Sequence, residues 1–215
     1  MLMKRGWFLN SVVSVLYFVE NWIDKLDVTN EDLNELLESN PSLRGMIMGY
    51  LAEIKLKDKW FNDDRITSIY KPDDHNRNIK ADWVIEYNGY EYTIEVKSIQ
   101  SNSIKTVEDS NKHFLKGKFQ CDASDSRFIE LENSENIKTT CLKKGQFDIL
   151  AINLYPFTGN WDFAFAKNND LPTTNYSKYD SNVQNQLLKG TMNISYPFCE
   201  PYYSNPYNLL DNIEQ

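Results

Sequence analysis

The stretch Ala81-Asp-Trp-Val-Ile-Glu-Tyr-Asn-Gly-Tyr-Glu-Tyr-Thr-Ile-Glu-Val-Lys97 decides the fold. Polar and apolar residues alternate on both sides of Asn88-Gly89, the dipeptide most suited to a two-residue hairpin turn. That turn pairs Tyr87 with Tyr90. Glu86 then faces Glu91, Val84 faces Thr93, Asp82 faces Glu95, and Lys80 faces Lys97. Successive side chains on a strand point to opposite faces. Trp83, Ile85, Tyr87, Tyr90, Tyr92, Ile94 and Val96 therefore share an apolar face, and Asp82, Glu95 and Lys97 share a polar one.

Directly opposed residues of an antiparallel pair hold their Cβ atoms about 4.5–5.5 Å apart. Two carboxylates at about 5 Å repel by roughly 3 kcal/mol at an effective dielectric of 20. A divalent cation between them reverses the sign. Mg²⁺ takes one or two protein carboxylates and leaves room for water and phosphate oxygens. Lys97, two residues beyond Glu95 on the same face, is placed to meet a phosphate or an attacking water. Such a set suits metal-assisted phosphodiester hydrolysis. The pairing of Glu86 with Glu91 leaves a plainer reading open, in which this face is a solvated acidic surface.

Working outward, Phe147-Asp-Ile-Leu-Ala-Ile-Asn-Leu154 reads as a central strand buried on both faces. Residues 161–166 are expected to pair with it across a turn at 156–160. Residues 127–131 and 137–142 read as a second hairpin, residues 60–70 as holding a strand, and 71–78 as a polar turn. Upstream, the spacing predicts helices over about 8–26, 30–39 and 42–58. Thr29 and Asp32 are placed for a capping box, and Pro41 for a first turn. Leu43, Ile47, Tyr50, Leu51 and Ile54 form the expected apolar face of the third helix, and Gly45 and Gly49 are spaced for a close backbone approach. Residues 101–126 show no readable pattern, and periodicity is weak from Asp170 onward.

The chain has 215 residues, 41% hydrophobic and 25% charged, and 13% aromatic. This is enough to bury a core without disulfide staples, and too polar for a membrane bundle. The apolar run near the N-terminus lacks a small-residue cleavage site and reads as an amphipathic helix rather than a signal peptide. Cys121, Cys141 and Cys199 match no zinc or redox spacing and read as free thiols of a reducing, cytoplasmic compartment. His75 and His113 are the two histidines, too few for a histidine metal cage or triad chemistry. Net charge is −8, divided as −4 over 1–41, +1 over 42–120 and −5 over 121–215. A nucleic-acid footprint must therefore be local. Lys55, Lys57 and Lys59, then Lys112, His113, Lys116 and Lys118, then Lys138, Lys143 and Lys144 are the basic clusters.

Asp82 followed by Glu95-Val96-Lys97, behind a helix carrying Gly49-Tyr-Leu-Ala-Glu53, resembles the PD-(D/E)xK nuclease superfamily and its type II restriction-endonuclease-like members. Glu95-Val-Lys-Ser-Ile-Gln-Ser-Asn-Ser103, Phe119-Gln-Cys-Asp-Ala-Ser-Asp125 and Gly145-Gln-Phe-Asp-Ile-Leu-Ala-Ile-Asn-Leu154 support the likeness, which covers about 42–172. It implies an α/β (α+β) chain with a restriction-endonuclease-like αβββαβ core and a mixed central sheet. Residues 1–41 would be an N-terminal helical appendage, and 173–215 a C-terminal extension packed on the core. Asp82, Glu95 and the Val96 carbonyl would ligate Mg²⁺, with Mn²⁺ as a substitute. Glu53 would reach the metal through water, and Lys97 would position or activate the nucleophilic water. Ala81 stands where the motif has Pro. A literal Pro72-Asp73 lies upstream, so Asp73 is the alternative motif aspartate. Gln100 is a candidate contact, and Asp148 a structural acceptor or a second-metal ligand.

The expected activity is thus Mg²⁺-dependent cleavage of double-stranded DNA, with sequence specificity, by a homodimer that meets no membrane. A non-catalytic nucleic-acid-binding module on the same fold, and a structure-specific repair or mobile-element nuclease, are the alternatives.

Overall fold

The computed structural model describes residues 22–73, 81–109, 112–132 and 136–213. They belong to two compact units, one ending at Arg44 and the other beginning at Gly45. In the first, α1 (Trp22–Lys25) is followed by α2 (Asn30–Ser39). The expected helix over 8–26 is described only at its end, and residues 8–21 lie outside the described residues. At α2 the Thr29 hydroxyl accepts the Asp32 N–H while the Asp32 carboxylate accepts the Thr29 N–H, the expected capping box. Helix α3 (Pro41–Leu56) then begins on proline, which needs no N–H at a first turn.

In the second unit α3 runs on into a π-helical turn, Lys57–Phe61. Ala52 and Leu56, one turn apart, are the fully buried residues of α3. Tyr50 and Ile54, expected on its apolar face, are instead exposed. Leu43, Ile47 and Leu51 of that face are half-buried, and the helix packs closest at Ala52, one residue from Glu53. Gly45 and Gly49 allow no close approach: an added Cβ would meet no described atom within 4 Å.

Five strands make the main sheet, in the order β1 (Ile66–Tyr70), β2 (Trp83–Tyr87), β3 (Tyr90–Ser98), β8 (Ile149–Asn153) and β9 (Phe163–Lys167). All neighbours are antiparallel except β3 and β8, so the α/β chain has a mixed central sheet. The β2–β3 register runs from Tyr87↔Tyr90 to Trp83↔Ile94. Asn88 and Gly89 both take positive φ, 53° and 82°, as a type I′ turn requires. Strand β8 is buried throughout, and the helical turn α4 (Tyr155–Thr158) returns the chain to β9.

The connection from β3 to β8 holds no α-helix among the described residues, where an αβββαβ core has one. It holds a 3₁₀ turn (Ser101–Ser103) and four strands, β4 (Lys105–Asp109), β5 (Lys112–Gln120), β6 (Asp122–Glu130) and β7 (Asn136–Cys141). β6 and β7 form the second hairpin, pairing Glu130 with Asn136 and Ile129 with Ile137. β5 sits between β4 and β10 (Thr191–Tyr196) in a three-stranded sheet. α5 (Ser181–Gln186), capped by the Asp180 carboxylate, precedes β10. α6 (Tyr207–Leu210) adds Tyr207, Leu209 and Leu210 to the core beneath β2, β3 and α3. All three cysteines are free thiols, with Cys121 buried. No helix among the described residues is long and apolar enough to cross a membrane.

Candidate active site

The hairpin's apolar residues do what their alternation requires. Ile85, Tyr87, Tyr92, Ile94 and Val96 are buried in one cluster with Ala52 and Leu56, and Trp83 packs half-buried against them. Tyr90, at the turn, is exposed. Glu95 and Lys97 point to the other side, and their parallel neighbours Leu150 and Ile152 belong to the second core cluster. Glu95 and Lys97 are themselves half-buried. The Lys97 ammonium pairs with Glu95 Oε1 at 2.6 Å. Burial pulls Lys97 down. The charge and hydrogen bond of Glu95, with the charge of Asp82, outweigh this and hold it above the ordinary lysine value.

Asp82 stands just ahead of β2, where it leaves the ladder. Its N–H goes to the Ile94 carbonyl at 2.9 Å, and its Oδ2 accepts the Val96 N–H at 2.7 Å. The carboxylate thereby takes an N–H that main-chain pairing would otherwise use. Burial, then the charges of Glu95 and of Glu53, push the Asp82 carboxyl up to about 7. The Val96 hydrogen bond and Lys97 oppose this.

Glu53 comes from α3. The Trp83 indole N–H donates to its main-chain carbonyl at 3.0 Å, tying the helix to the residue after Asp82. The Glu53 carboxylate pairs with Lys71 at 2.6 Å. So Glu95, Glu53 and Lys97, from a strand and a helix, all act by charge on Asp82 at the strand end. Asp73 lies exposed in the segment after β1. Asp148 is bound elsewhere: its Oδ2 accepts both the N–H and the hydroxyl of Thr93 at 2.7 Å, which makes it the structural acceptor. Gln100 is half-buried, with its N–H on the Lys118 carbonyl.

Two neighbours carried no readable signal in the sequence, although they fall in the 119–125 stretch. Cys121 and Asp122 lie near Lys97, whose charge lowers both groups against the pull of burial. Burial pushes the Cys121 thiol up to about 12, more than Lys97 lowers it. Lys71 likewise carries no sequence signal beyond its place at the start of a polar turn. Four members of the basic clusters are engaged. Lys59 pairs with Asp162 at 2.7 Å, Lys143 holds the Glu130 carbonyl, Lys144 holds the Asn169 carbonyl, and His113 meets Glu108.

The oxygen donors here are of the hard kind that Mg²⁺ takes, and Asp82 bears an electrostatic cost that a cation would offset. No group of three or more His, Cys, Asp and Glu side chains forms a ready cation cage among the described residues. Mg²⁺ commonly binds without one, through one or two carboxylates, water and substrate phosphate.

No protein-family model matches the chain, and no curated protein does. Among solved structures, a bacterial homing endonuclease, I-Ssp6803I, is similar at 12% identity and a TM-score of 0.32, over 68% of this chain and 89% of that one. A likeness of that size carries no argument about activity.

Proposed function

We propose that the protein is a Mg²⁺-dependent endonuclease that hydrolyses DNA phosphodiester bonds. In this reading it is sequence-specific in the manner of type II restriction enzymes, and it works in the cytoplasm as a homodimer, since cutting both strands of a duplex asks for two sites related by symmetry. The observation that carries the reading is the Asp82–Glu95–Glu53 cluster with Lys97 on its rim. The charges of Glu95 and Glu53 help hold the Asp82 carboxyl well above its ordinary range, a cost that a cation bound there would offset.

Asp82, Glu95 and the Val96 carbonyl would hold Mg²⁺, or Mn²⁺ in its place, with Glu53 reaching it through water. The ion, when bound, supplies charge to the attacked phosphate and acidifies water. The rest falls to the chain's own residues. Glu95 fixes the Lys97 ammonium, which stays cationic and so orients the attacking water and offsets charge on the phosphate rather than taking a proton. The Val96 N–H aims the Asp82 carboxylate. Trp83 and Lys71 hold Glu53 beside it.

The ion pair of Lys97 with Glu95 and the hydrogen bond of Asp82 with Val96 also satisfy these groups without a ligand. That favours a second reading, a non-catalytic DNA-binding module. Incubating plasmid DNA with the protein, with Mg²⁺ or with a chelator, separates the two. Discrete fragments in Mg²⁺, lost with Lys97→Ala, are the expected result. Intact plasmid, bound equally with and without Mg²⁺, overturns the nuclease reading.

A further inference from the structure

The three-stranded sheet β4–β5–β10 has one face in the core and one in solvent. Gly117, Phe119, Met192 and Ile194 are buried on the inner face. A Cβ on Gly117 would come within 2.8 Å of Ile99 Cγ2, so the sheet lies close against the segment that follows β3. The outer face carries Lys105, Lys116, Lys118 and Gln120, beside Thr191 and Asn193 of β10, all exposed. The register sets Lys105 directly opposite Lys116 and Lys118 opposite Asn193. The ion pairs among the described residues include none of these three lysines. Lys116 lies 5.1 Å over the Phe114 ring of its own strand. The pair of Glu108 and His113 sits on the alternate rung, facing the other way, and at the far end the register pairs Asp109 with Lys112.

Like charges directly opposed on an antiparallel pair are destabilising. In a chain of net charge −8, a run of exposed lysines at Lys105, Lys116 and Lys118 is a local feature that a polyanion would neutralise. The face also leads to the candidate site. The Gln100 N–H, three residues after Lys97, donates to the Lys118 carbonyl at 2.8 Å, and β5 continues from Gln120 into Cys121 and Asp122. At about 3.3 Å per residue, Lys118 lies about 10 Å and Lys116 about 17 Å along the strand from Cys121. B-DNA presents a phosphate about every 3.4 Å of axis on each strand, so the face spans several. A β-ribbon fits the major groove, and amides such as Gln120 and Asn193 can meet base edges there.

We infer that double-stranded DNA lies on the outer face of the β4–β5–β10 sheet, with Lys105, Lys116 and Lys118 on its phosphates. This rests on the nuclease reading and names its substrate surface. The test is fluorescence anisotropy with a labelled mixed-sequence duplex in chelator, between about 50 and 200 mM salt. Changing Lys105, Lys116 and Lys118 together to Gln should lower the slope of log affinity against log salt by about 3, and each single change by about 1. The triple Arg variant should keep the wild-type slope. Thermal melts should show the Gln variants close to wild type, because relief of the Lys105–Lys116 repulsion offsets the lost contact of Lys116 with Phe114.

Binding by the triple Gln variant with wild-type affinity and slope overturns the inference. So does a wild-type chain that ignores the duplex, or one whose lysines serve only phosphatidylserine vesicles. Cleavage in Mg²⁺, run alongside, keeps the two readings apart. Lysine-dependent binding without cutting leaves this surface standing and ends the nuclease reading. Cutting unchanged by the triple Gln variant ends the surface and leaves the nuclease.

Discussion

The Asp82 carboxylate accepts the backbone N–H of Val96 at 2.7 Å, so the acid at the end of the hairpin takes the place of a main-chain partner. An amide oxygen can accept the same hydrogen bond without the charge. Asp82→Asn should therefore keep the strand end intact and relieve repulsion from Glu95 and Glu53. Without metal the variant is expected to be more stable than wild type at neutral pH, by on the order of 1–3 kcal/mol, the size of such repulsion at an effective dielectric near 20. Cleavage should be lost. Urea denaturation in chelator and a plasmid assay in Mg²⁺ check the two halves. A destabilised Asp82→Asn would mean that the acid is held by more attraction than repulsion.

The same group sets a pH dependence. Burial, Glu95 and Glu53 raise Asp82 to about 7 from an ordinary 3.8, with Lys97 and the Val96 N–H opposing. An acid raised in the fold binds more protons folded than unfolded between those values, so stability falls as pH rises. The contribution is complete below about pH 4 and lost as pH passes about 7. Metal-free wild type should show its urea midpoint dropping across that window and levelling above it, while Asp82→Asn shows a smaller drop. A midpoint that rises from pH 5 to 7 in wild type relative to the variant would contradict the raised value.

Asp148 allows a clean contrast. Its Oδ2 takes two hydrogen bonds from Thr93, N–H and hydroxyl. Asp148→Ala leaves the strand N–H without that acceptor, at about 2–3 kcal/mol. Activity per folded molecule should persist, and Asp148→Asn should recover part of the stability. Full stability with abolished cleavage would instead put Asp148 in the chemistry.

The hairpin was legible because its signals are local and agree. Asn88-Gly89 fixes the turn, and the turn fixes the register that brings Glu95 and Lys97 to one face. The buried strand β8 and the capping box at Thr29 are local in the same way. What the sequence hid depends on distant pairing. β5 meets β10 far along the chain, and its alternation is masked by lysines on the outer face and a glycine within. Asp122 nears Lys97 only because β5 ends there, and no spacing announces it. Tyr50 and Ile54 are apolar enough to suggest the inner face of α3, but the helix packs closest at Ala52.

Lys97→Ala separates the roles of the cluster. In wild type the ammonium neutralises Glu95 at 2.6 Å and acts on Asp82. Its removal leaves Glu95 without this partner beside Asp82 and Glu53, and breaking such a part-buried pair is costly. The metal-free variant should melt below wild type, opposite in sign to Asp82→Asn. Added Mg²⁺ should raise its melting temperature by more than it raises that of wild type, because the ion then balances charge that the lysine no longer does. Cleavage should fall by about a hundredfold or more, as when a positioned charge is taken from a developing anion, while duplex binding on the lysine face remains. Thermal melts with and without Mg²⁺, set beside single-turnover cleavage, read all three effects. Wild-type cleavage by Lys97→Ala would move the chemistry away from this cluster.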